Sequence, residues 1–175
     1  MKFTELALHG AYVIELEPIE DERGFFARSF CKKEFAAHNL CTEFVQCNVS
    51  YNKKRGTLRG MHYQCAPYGE VKVVSCIAGA IYDVIIDIRE DSATKNQWVA
   101  VELSAENRKM LYIPEGFAHG FQTLEDNSTV YYQMGNFYVP DSARGIAWDD
   151  AKYGIKWPIG NPIISYKDKH YGVGK

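Results

Sequence analysis

The sequence lacks the features that mark a membrane-bound, secreted or nucleic-acid-binding protein. No apolar run is long enough to cross a bilayer, and Glu5 and His9 interrupt residues 1–16, so we expect no signal peptide there. The formal net charge of −2 over 175 residues creates no global field that would attract nucleic acid or anionic lipid. These absences predict a cytoplasmic protein without nucleic-acid or membrane partners.

Cysteine is too sparse to build a disulfide framework or a structural zinc site. The five cysteines are odd in number and contain no Cys-x-x-Cys pair. Reduced thiols are the simplest account of this pattern, and they agree with a cytoplasmic location. Cys76, within an apolar run, is predicted to be a small core residue.

Long helical patterns are also missing, and many short strand patterns take their place. Residues at even positions of 80–89 share one apolar face, whereas Asp83 and Asp87 fall on the other face with Ile81 and Ile85. The predicted strands cover 11–16, 44–50, 56–64, 71–78, 80–89, 98–103, 109–113, 118–124 and 129–139.

These patterns predict one all-β domain over residues 1–175, built as a sandwich or barrel. One short helix is expected over 32–38, with Ser29 as its cap. No Gly/Ser-rich or Pro-rich linker divides the chain. The N-terminal strands and the C-terminal tail are the parts expected to pair with a second copy, since open sheet edges need cover.

The stretch Gly56-Thr-Leu-Arg-Gly-Met-His62 carries two side chains suited to a reaction site. The guanidinium of Arg59 can grip a phosphate or carboxylate with two parallel hydrogen bonds, and the imidazole of His62 can move a proton near neutral pH. A regular strand would point these two side chains to opposite faces. If both serve one site, Gly60 between them is predicted to host a bulge or sharp twist.

A second histidine, His119, follows a Pro/Gly turn with the spacing Pro-x-Gly-x-x-His. This spacing resembles the second signature of the cupin family. In the first cupin signature the chain keeps His62, has Gln64 in place of a second histidine, and offers Glu70 as the nearest downstream acid. Because a divalent metal usually needs three or four donors, the resemblance implies a cupin double-stranded β-helix, a jelly-roll barrel with short peripheral helices, without a functional metal.

Four motifs in order resemble the dTDP-4-dehydrorhamnose 3,5-epimerase family. They are Asp21-Glu-Arg-Gly-Phe-Phe26, Gly56-Thr-Leu-Arg-Gly-Met-His62, Tyr112-Ile-Pro-Glu-Gly-Phe-Ala-His-Gly-Phe121, and Trp148-Asp-Asp150 with Gly154-Ile-Lys-Trp-Pro158. The resemblance implies a homodimeric, cofactor-independent isomerase. It would epimerise a nucleotide-diphospho-4-keto-6-deoxyhexose at C3 and C5, or at C3 alone, in deoxysugar biosynthesis such as the dTDP-rhamnose pathway that supplies polysaccharide or lipopolysaccharide.

The resemblance also implies a role for individual residues. His62 would be the base, Asp168 would orient its ring, Tyr132 would be the acid and Lys72 would face the enolate oxygen. Tyr131 competes with Tyr132, because strand alternation lets only one of the two face inward. The residues expected to bind substrate are Arg23, Phe26, Arg28, Gln46, Asn48, Arg59, His119 and Phe137.

The chain departs from the family pattern at the nucleotide end. Arg28 stands where the family usually has a glutamate that reads thymine, and a donor-only guanidinium cannot accept the thymine imide N–H. Phe137 stands where a stacking tyrosine is common, and Glu70-Val71 precedes Lys72 in place of Gln-Gly. The choice among dTDP, CDP and GDP therefore stays open at this point, as does the choice of sugar.

Two other functions compete with epimerisation on the same residues. One is a metal-dependent cupin, an isomerase or dioxygenase that uses His62 and His119 as ligands. The other is a non-catalytic module that binds nucleotide sugars, in which Arg59 is required and His62 is dispensable.

Overall fold

A computed structural model describes residues 1–171 as a structure built mainly of β-strands, with two short α-helices and one 3-10 turn at Pro140–Ser142. The strands are β1 (Lys2–Glu5), β2 (Tyr12–Glu15), β3 (Ile19–Asp21), β4 (Gly24–Phe26), β5 (Gln46–Asn52), β6 (Thr57–Gln64), β7 (Lys72–Ala78), β8 (Ala80–Asp87), β9 (Trp98–Ser104), β10 (Lys109–Ile113), β11 (Phe117–Thr123), β12 (Ser128–Met134), β13 (Ala143–Gly145) and β14 (Ile163–Ile164). The helices are α1 (Lys32–Ala37) and α2 (Tyr166–Lys169). The prediction of an all-β fold with short peripheral helices is confirmed.

Two sheets face each other and enclose the main core. The first sheet has the order β1-β2-β10-β7-β12-β5, and the second has the order β13-β6-β11-β8-β9, with β14 beside β6. All neighbouring strands are antiparallel except β14 and β6. Strands β3 and β4 form a separate hairpin. Strands that are adjacent in the chain often lie in different sheets, as in a jelly roll.

Strand alternation divides the apolar side chains into three clusters. The cluster between the sheets takes Val74 and Cys76 from β7 and Ile81 and Ile85 from β8. The even-numbered residues of β8 pack on the opposite face of the second sheet, where the C-terminal segment with Trp157 covers them. The predicted two faces of this strand and the buried state of the Cys76 thiol are confirmed.

Helix α1 covers the outer face of the first sheet. Its Phe35 is fully buried against residues that include Ile14, Val73 and Tyr112. The prediction that Ser29 caps this helix was wrong, because the N-cap is Cys31 and its side chain makes no cap hydrogen bond. The helix is stabilised by burying Phe35 rather than by a cap.

The C-terminal segment carries more structure than its sequence suggested. Strands β13 and β14 extend the second sheet by pairing with β6, and α2 follows with Ser165 as its N-cap. Strand β12 ends at Met134, five residues short of the predicted end at Val139. Neither helix in residues 1–171 has the length and apolar content that a membrane span requires.

Candidate active site

A cavity of about 530 Å³ opens between the two sheets. Strands β5, β7 and β12 of the first sheet and β6 and β11 of the second contribute to its wall. The predicted site residues that line it are Gln46, Asn48, Arg59, His62, Lys72, His119 and Tyr132. Residues spread over more than 80 positions of the sequence are therefore brought to one concave surface.

An irregularity in β6 directs Arg59 and His62 into the same cavity. On the neighbouring strand β11, His119 pairs with His62 and Phe121 pairs with Arg59, so three steps along β6 oppose two along β11. Gly60 lies at this shift with a φ of +140°, and a Cβ added there would lie 2.5 Å from the Cα of Gly120. The predicted bulge at Gly60 is confirmed, and only glycine fits its conformation and close approach.

His62 is paired with the carboxylate of Asp168 from α2. The distance from Nε2 to Oδ1 is 2.7 Å, and the imidazole is 41% exposed to the cavity while Asp168 is 8% exposed. The backbone N–H of Asp168 donates to Ser165 Oγ at 3.0 Å, and the N–H of Gly60 donates to Asp168 Oδ2 at 3.4 Å. The carboxylate is thus held from both α2 and β6 while one face of the ring stays open.

The environment of Asp168 favours its ionised form. Burial acts to raise the pKa of this carboxyl, but the hydrogen bond and charge of His62, with smaller help from Gly60 and Ser165, place the pKa below its ordinary value. An ionised carboxylate behind the ring stabilises a protonated imidazole, which is the form His62 takes after accepting a proton.

Tyr132 reaches the cavity from the facing sheet. It lies on β12 between Asn48 of β5 and Val74 of β7, whereas the neighbouring Tyr131 points to the other face, toward Cys47. Burial raises the pKa of the Tyr132 phenol, Arg59 opposes this rise, and Glu70 adds to it. The phenol therefore keeps its proton at neutral pH and can act as an acid.

Lys72, the first residue of β7, faces the cavity on the same side as Val74 and Cys76. Its Nζ lies 2.7 Å from Oε1 of Glu70, and both side chains are buried. The inward direction that alternation predicted for Lys72 is confirmed. The ammonium places a positive charge in the wall of the cavity that His62 and Tyr132 also line.

His119 also pairs with a buried carboxylate. Its Nε2 lies 2.5 Å from Oδ1 of Asp83, which is fully buried on β8. Because His119 stands directly opposite His62 in the β6–β11 pairing, two imidazoles lie side by side on one wall of the cavity.

Arg59 lies near the rim with its guanidinium partly anchored. Its Nε donates to Asn52 Oδ1 at 2.7 Å and its Nη2 to the carbonyl of Tyr51 at 3.5 Å, which leaves the remaining N–H groups to meet an anion. Arg144 and Lys167 also line the cavity. These three cations suit a diphosphate group.

Sequence reasoning did not assign a role to several lining residues. They are Glu70, Tyr138, Arg144, Lys167 and Tyr171. The Ser-x-x-Asp pattern at Ser165–Asp168 was a usable signal, because it predicts a helix start that would carry Lys167 beside Asp168. No comparable local signal marks Arg144, whose place in the wall depends on β13 pairing with β6.

Four predicted binding residues do not line this cavity in their own chain. Arg23 and Phe26 lie in the β3–β4 hairpin, where Arg23 pairs with Asp21 at the surface. Arg28 follows the hairpin, and its Nη1 lies 2.7 Å from Oε1 of Glu34. Phe137 is 61% exposed beyond the end of β12, and its neighbour Tyr138 lines the cavity.

The donor set does not match a metal centre in the part of the chain that the structure describes. Residues 1–171 contain no group of three or more His, Cys, Asp and Glu side chains arranged around a common point. Gln64, at the position of a cupin ligand, donates to the carbonyls of Tyr68 and Phe137 and accepts from the N–H of Val139. Its amide supports the cavity wall through these hydrogen bonds.

Comparison with known proteins finds, over nearly the whole chain, the same family that the sequence motifs resemble. The profile of the dTDP-4-dehydrorhamnose 3,5-epimerase family matches residues 5–173. The dTDP-4-dehydrorhamnose 3,5-epimerase of Shigella flexneri is 48% identical over 169 residues, which cover 96% of this chain and 93% of that protein.

Solved structures agree with this relationship. The dTDP-4-dehydrorhamnose 3,5-epimerase of Bacillus anthracis, with TDP and PPi bound, is 41% identical and superposes with a TM-score of 0.95 over 97% of each chain. The dTDP-6-deoxy-D-glucose-3,5-epimerase of Legionella pneumophila, in complex with dTDP-4-keto-L-rhamnose, is 38% identical with a TM-score of 0.91, covering 97% of this chain and 90% of that one.

The jelly-roll fold is that of a cupin, and the related proteins are enzymes of the isomerase class. The predicted cupin fold is confirmed by these neighbours. The chain belongs to the dTDP-4-dehydrorhamnose 3,5-epimerase family, as its motifs predicted.

Proposed function

We propose that this protein epimerises a nucleotide-diphospho-4-keto-6-deoxyhexose at C3 and C5, through an enolate, in deoxysugar biosynthesis. The observation that carries the proposal is that His62, backed by Asp168, and Tyr132 line one cavity from opposite sheets. Inversion at carbon needs a base on one ring face and an acid on the other.

The first step removes a proton from the carbon beside the ketone. The C4 carbonyl makes the hydrogens on C3 and C5 acidic, because the electron pair that remains on carbon is delocalised onto the carbonyl oxygen and forms an enolate. Asp168 holds one ring nitrogen of His62, and the other nitrogen accepts the proton. Lys72 faces the enolate oxygen and stabilises its developing negative charge.

The second step returns a proton to the opposite face of the same carbon. The raised pKa of Tyr132 keeps the phenol protonated until the enolate forms. Donation from Tyr132 re-forms the C–H bond and the C4 ketone with the configuration inverted. No electrons are gained or lost overall, so the reaction requires no redox cofactor.

The nucleotide end of the substrate is bound at the cavity rim. We infer that Arg59, Arg144 and Lys167 hold the diphosphate, while Gln46 and Asn48 of β5 contact the neighbouring part of the substrate. The relatives with TDP or dTDP-4-keto-L-rhamnose bound favour a dTDP-linked sugar. Arg28 argues for comparing other bases, because it cannot accept the thymine imide N–H.

We also infer a homodimer in which each β3–β4 hairpin completes the partner's cavity. The hairpin exposes Phe25 and Phe26, at 49% and 72% of their surface, together with Ile19 at 72%. Such an apolar group at the surface is typical of a contact site. A second copy would bring Arg23 to the diphosphate and Phe26 to the base. The five free thiols support a cytoplasmic location for this dimer.

The test offers dTDP-, CDP- and GDP-linked 4-keto-6-deoxyglucose to the enzyme in heavy water, with NMR reporting deuterium uptake at each carbon. We expect uptake with inversion at C3 and C5 for one nucleotide in preference to the others. Uptake at C3 alone would reduce the activity to a 3-epimerase. Absence of uptake from every substrate would contradict the proposal and favour a binding module.

A further inference from the structure

The carboxylate of Glu70 is buried beside the proposed active site without a role in proton transfer. Glu70 and Lys72 side chains are 5% and 9% exposed, and Oε1 of Glu70 lies 2.7 Å from Nζ of Lys72. The other oxygen, Oε2, is buried and has no hydrogen-bond partner. Because Oε1 forms an ion pair with Lys72 and Oε2 is buried, Glu70 is placed to act on Lys72.

The segment that carries Glu70 is held in place by its neighbours. Asn136 Nδ2 donates to the carbonyl of Gly69 at 3.3 Å, and Gln64 Nε2 donates to the carbonyl of Tyr68 at 2.8 Å. Glu115 packs so closely on Gly69 that an added Cβ would lie 2.2 Å from its Oε1. A carboxylate on such a fixed segment offers a fixed acceptor.

Lys72 needs such an acceptor. A lysine side chain has a flexible four-carbon stem, and a buried ammonium is destabilised unless it is paired. Glu70 is the ion-pair partner that residues 1–171 supply to Lys72. An ammonium that stabilises an enolate must already be in place when the charge develops, since only preorganised charge avoids a reorganisation cost at that moment.

We propose that Glu70 is a positioning residue that fixes the ammonium of Lys72 at the enolate oxygen. This inference rests on the proposed epimerase function. The acceptor oxygen next to the ammonium is the feature that positions Lys72. Glutamine keeps such an oxygen at the same reach and can replace glutamate, whereas alanine and the shorter aspartate cannot.

The test compares Glu70→Ala, Glu70→Asp, Glu70→Gln, Lys72→Met and the double variant Glu70→Ala with Lys72→Met. The readouts are the rate of deuterium uptake at C3 in single turnovers and the KM for the nucleotide sugar. Loss of one preorganised donor lowers the rate by about 10²-fold or more, and we expect this for Lys72→Met. Glu70→Ala should lose at least about tenfold with KM nearly unchanged, because the diphosphate contacts lie elsewhere.

Non-additivity is the decisive result. If Glu70 acts through Lys72, adding Glu70→Ala to the Lys72→Met variant should change the rate by less than about twofold. Glu70→Gln alone should keep most of the wild-type rate. Thermal unfolding checks that each variant folds. If the alanine variant does not fold, Glu70→Asp keeps the charge but shortens the reach, and its loss of uptake carries the test.

Three outcomes would overturn the inference: wild-type uptake in both Glu70→Ala and Glu70→Asp, full additivity with Lys72→Met, or a loss in Glu70→Gln as large as that in Glu70→Ala. Failure of the epimerase proposal is distinguishable from these, because the wild-type enzyme would then show no uptake at all.

Discussion

At the scale of single residues, the proposed acid and the proposed base differ in their burial and in their hydrogen-bond partners. Asp168 and His62 form a pair in which the carboxylate is buried and the ring is open to the cavity. Tyr132 makes no such pair with any residue of 1–171, and burial raises its pKa so that it holds a proton. An ionised carboxylate behind His62 and a protonated phenol on the facing sheet are suited to support opposite steps of one reaction.

The role of Tyr132 as acid predicts a separation of exchange from inversion. In Tyr132→Phe, proton abstraction by His62 needs no phenol, so deuterium uptake at C3 should continue within about tenfold of the wild-type rate. Inversion should fall by about 10²-fold or more, the usual contribution of a general acid. NMR in heavy water follows both events in one sample.

Tyr131→Phe is the matched control for this experiment. Tyr131 is the adjacent tyrosine on the other face of β12, and neither it nor the nearby Cys47 lines the cavity. Both rates should stay at wild-type values in this variant. Unimpaired inversion in Tyr132→Phe would show that the phenol is not the acid.

The lowered pKa of Asp168 predicts how Asp168→Asn changes with pH. A carboxyl whose folded pKa lies below its unfolded value stabilises the fold at pH above the ordinary value of 3.8, and this stabilisation is lost as the pH falls through the folded pKa. The difference in Tm between wild type and Asp168→Asn should therefore be largest at neutral pH and shrink below about pH 4.

Thermal unfolding between about pH 3 and 7 measures this difference. Asp149→Asn, at an exposed position near the start of the C-terminal segment, is the control and should leave Tm unchanged. The catalytic rate of Asp168→Asn should also fall by about 10²- to 10⁴-fold, because the imidazolium loses its partner. A constant difference in Tm at all pH values would show that the carboxylate is not preferentially ionised in the folded state.

At the scale of elements, β6 and α2 set the geometry of the site. Strand β6 carries both Arg59 and His62, and its shift at Gly60 makes them face one way. Helix α2 is only four residues long, yet it supplies Asp168 because Ser165 caps its first turn. A short helix of this kind is stable only through such caps and its packing on the sheet.

Gly60→Ala should disrupt this geometry. The backbone of Gly60 has a φ of +140°, and a Cβ would lie 2.5 Å from the Cα of Gly120, which cannot give way as a side-chain end can. Strain and overpacking together should lower the free energy of unfolding by about 2 to 4 kcal/mol and reduce activity as His62 is displaced.

Gly160→Ala offers a control, since a Cβ at that glycine would meet no atom within 4 Å. Its stability should change by less than about 0.5 kcal/mol. Denaturant unfolding measures both variants. A Gly60→Ala protein as stable as Gly160→Ala would contradict the need for glycine at the bulge.

At the scale of the whole molecule, the placement of the hairpin argues for two chains. Arg23 and Phe26 resemble substrate-binding residues of the family but lie on the exposed β3–β4 hairpin, outside their own chain's cavity. A homodimer resolves this separation if each hairpin reaches the other copy. In that arrangement neither cavity is complete in one chain.

Complementation between two inactive variants tests the shared site. Co-expressed His62→Ala and Arg23→Ala chains would form mixed dimers in which one cavity has both an intact His62 and an intact partner hairpin. If the two chains associate randomly, activity should return to about a quarter of the wild-type value. Each variant expressed alone is the control, and light scattering measures the mass of the particle. No recovery in verified mixed dimers would place the hairpin outside the partner's site.

Local patterns were sufficient for the longer strands and the family, but not for the short strands such as β1, β13 and β14. The two-residue period of a strand predicted the alternation in β8 and the inward direction of Lys72. The missing side chain of glycine predicted the bulge at Gly60. Both effects depend only on residues that are close together in the sequence. The four motifs identified the lineage because each keeps its residues and its order. By contrast, Ser29 was wrongly assigned as a cap, because burial of Phe35 outweighs cap chemistry in α1.

Three features depend on the folded chain. They are the pairing of Asp168 with His62, the pairing of Asp83 with His119, and the position of Arg144 and Lys167 in the cavity wall. Asp168 is separated from His62 by 106 residues, and no local period relates them. Which distant side chains meet is set by how the two sheets close on each other, since burial of a shared core brings together segments that have no preference for one another in sequence.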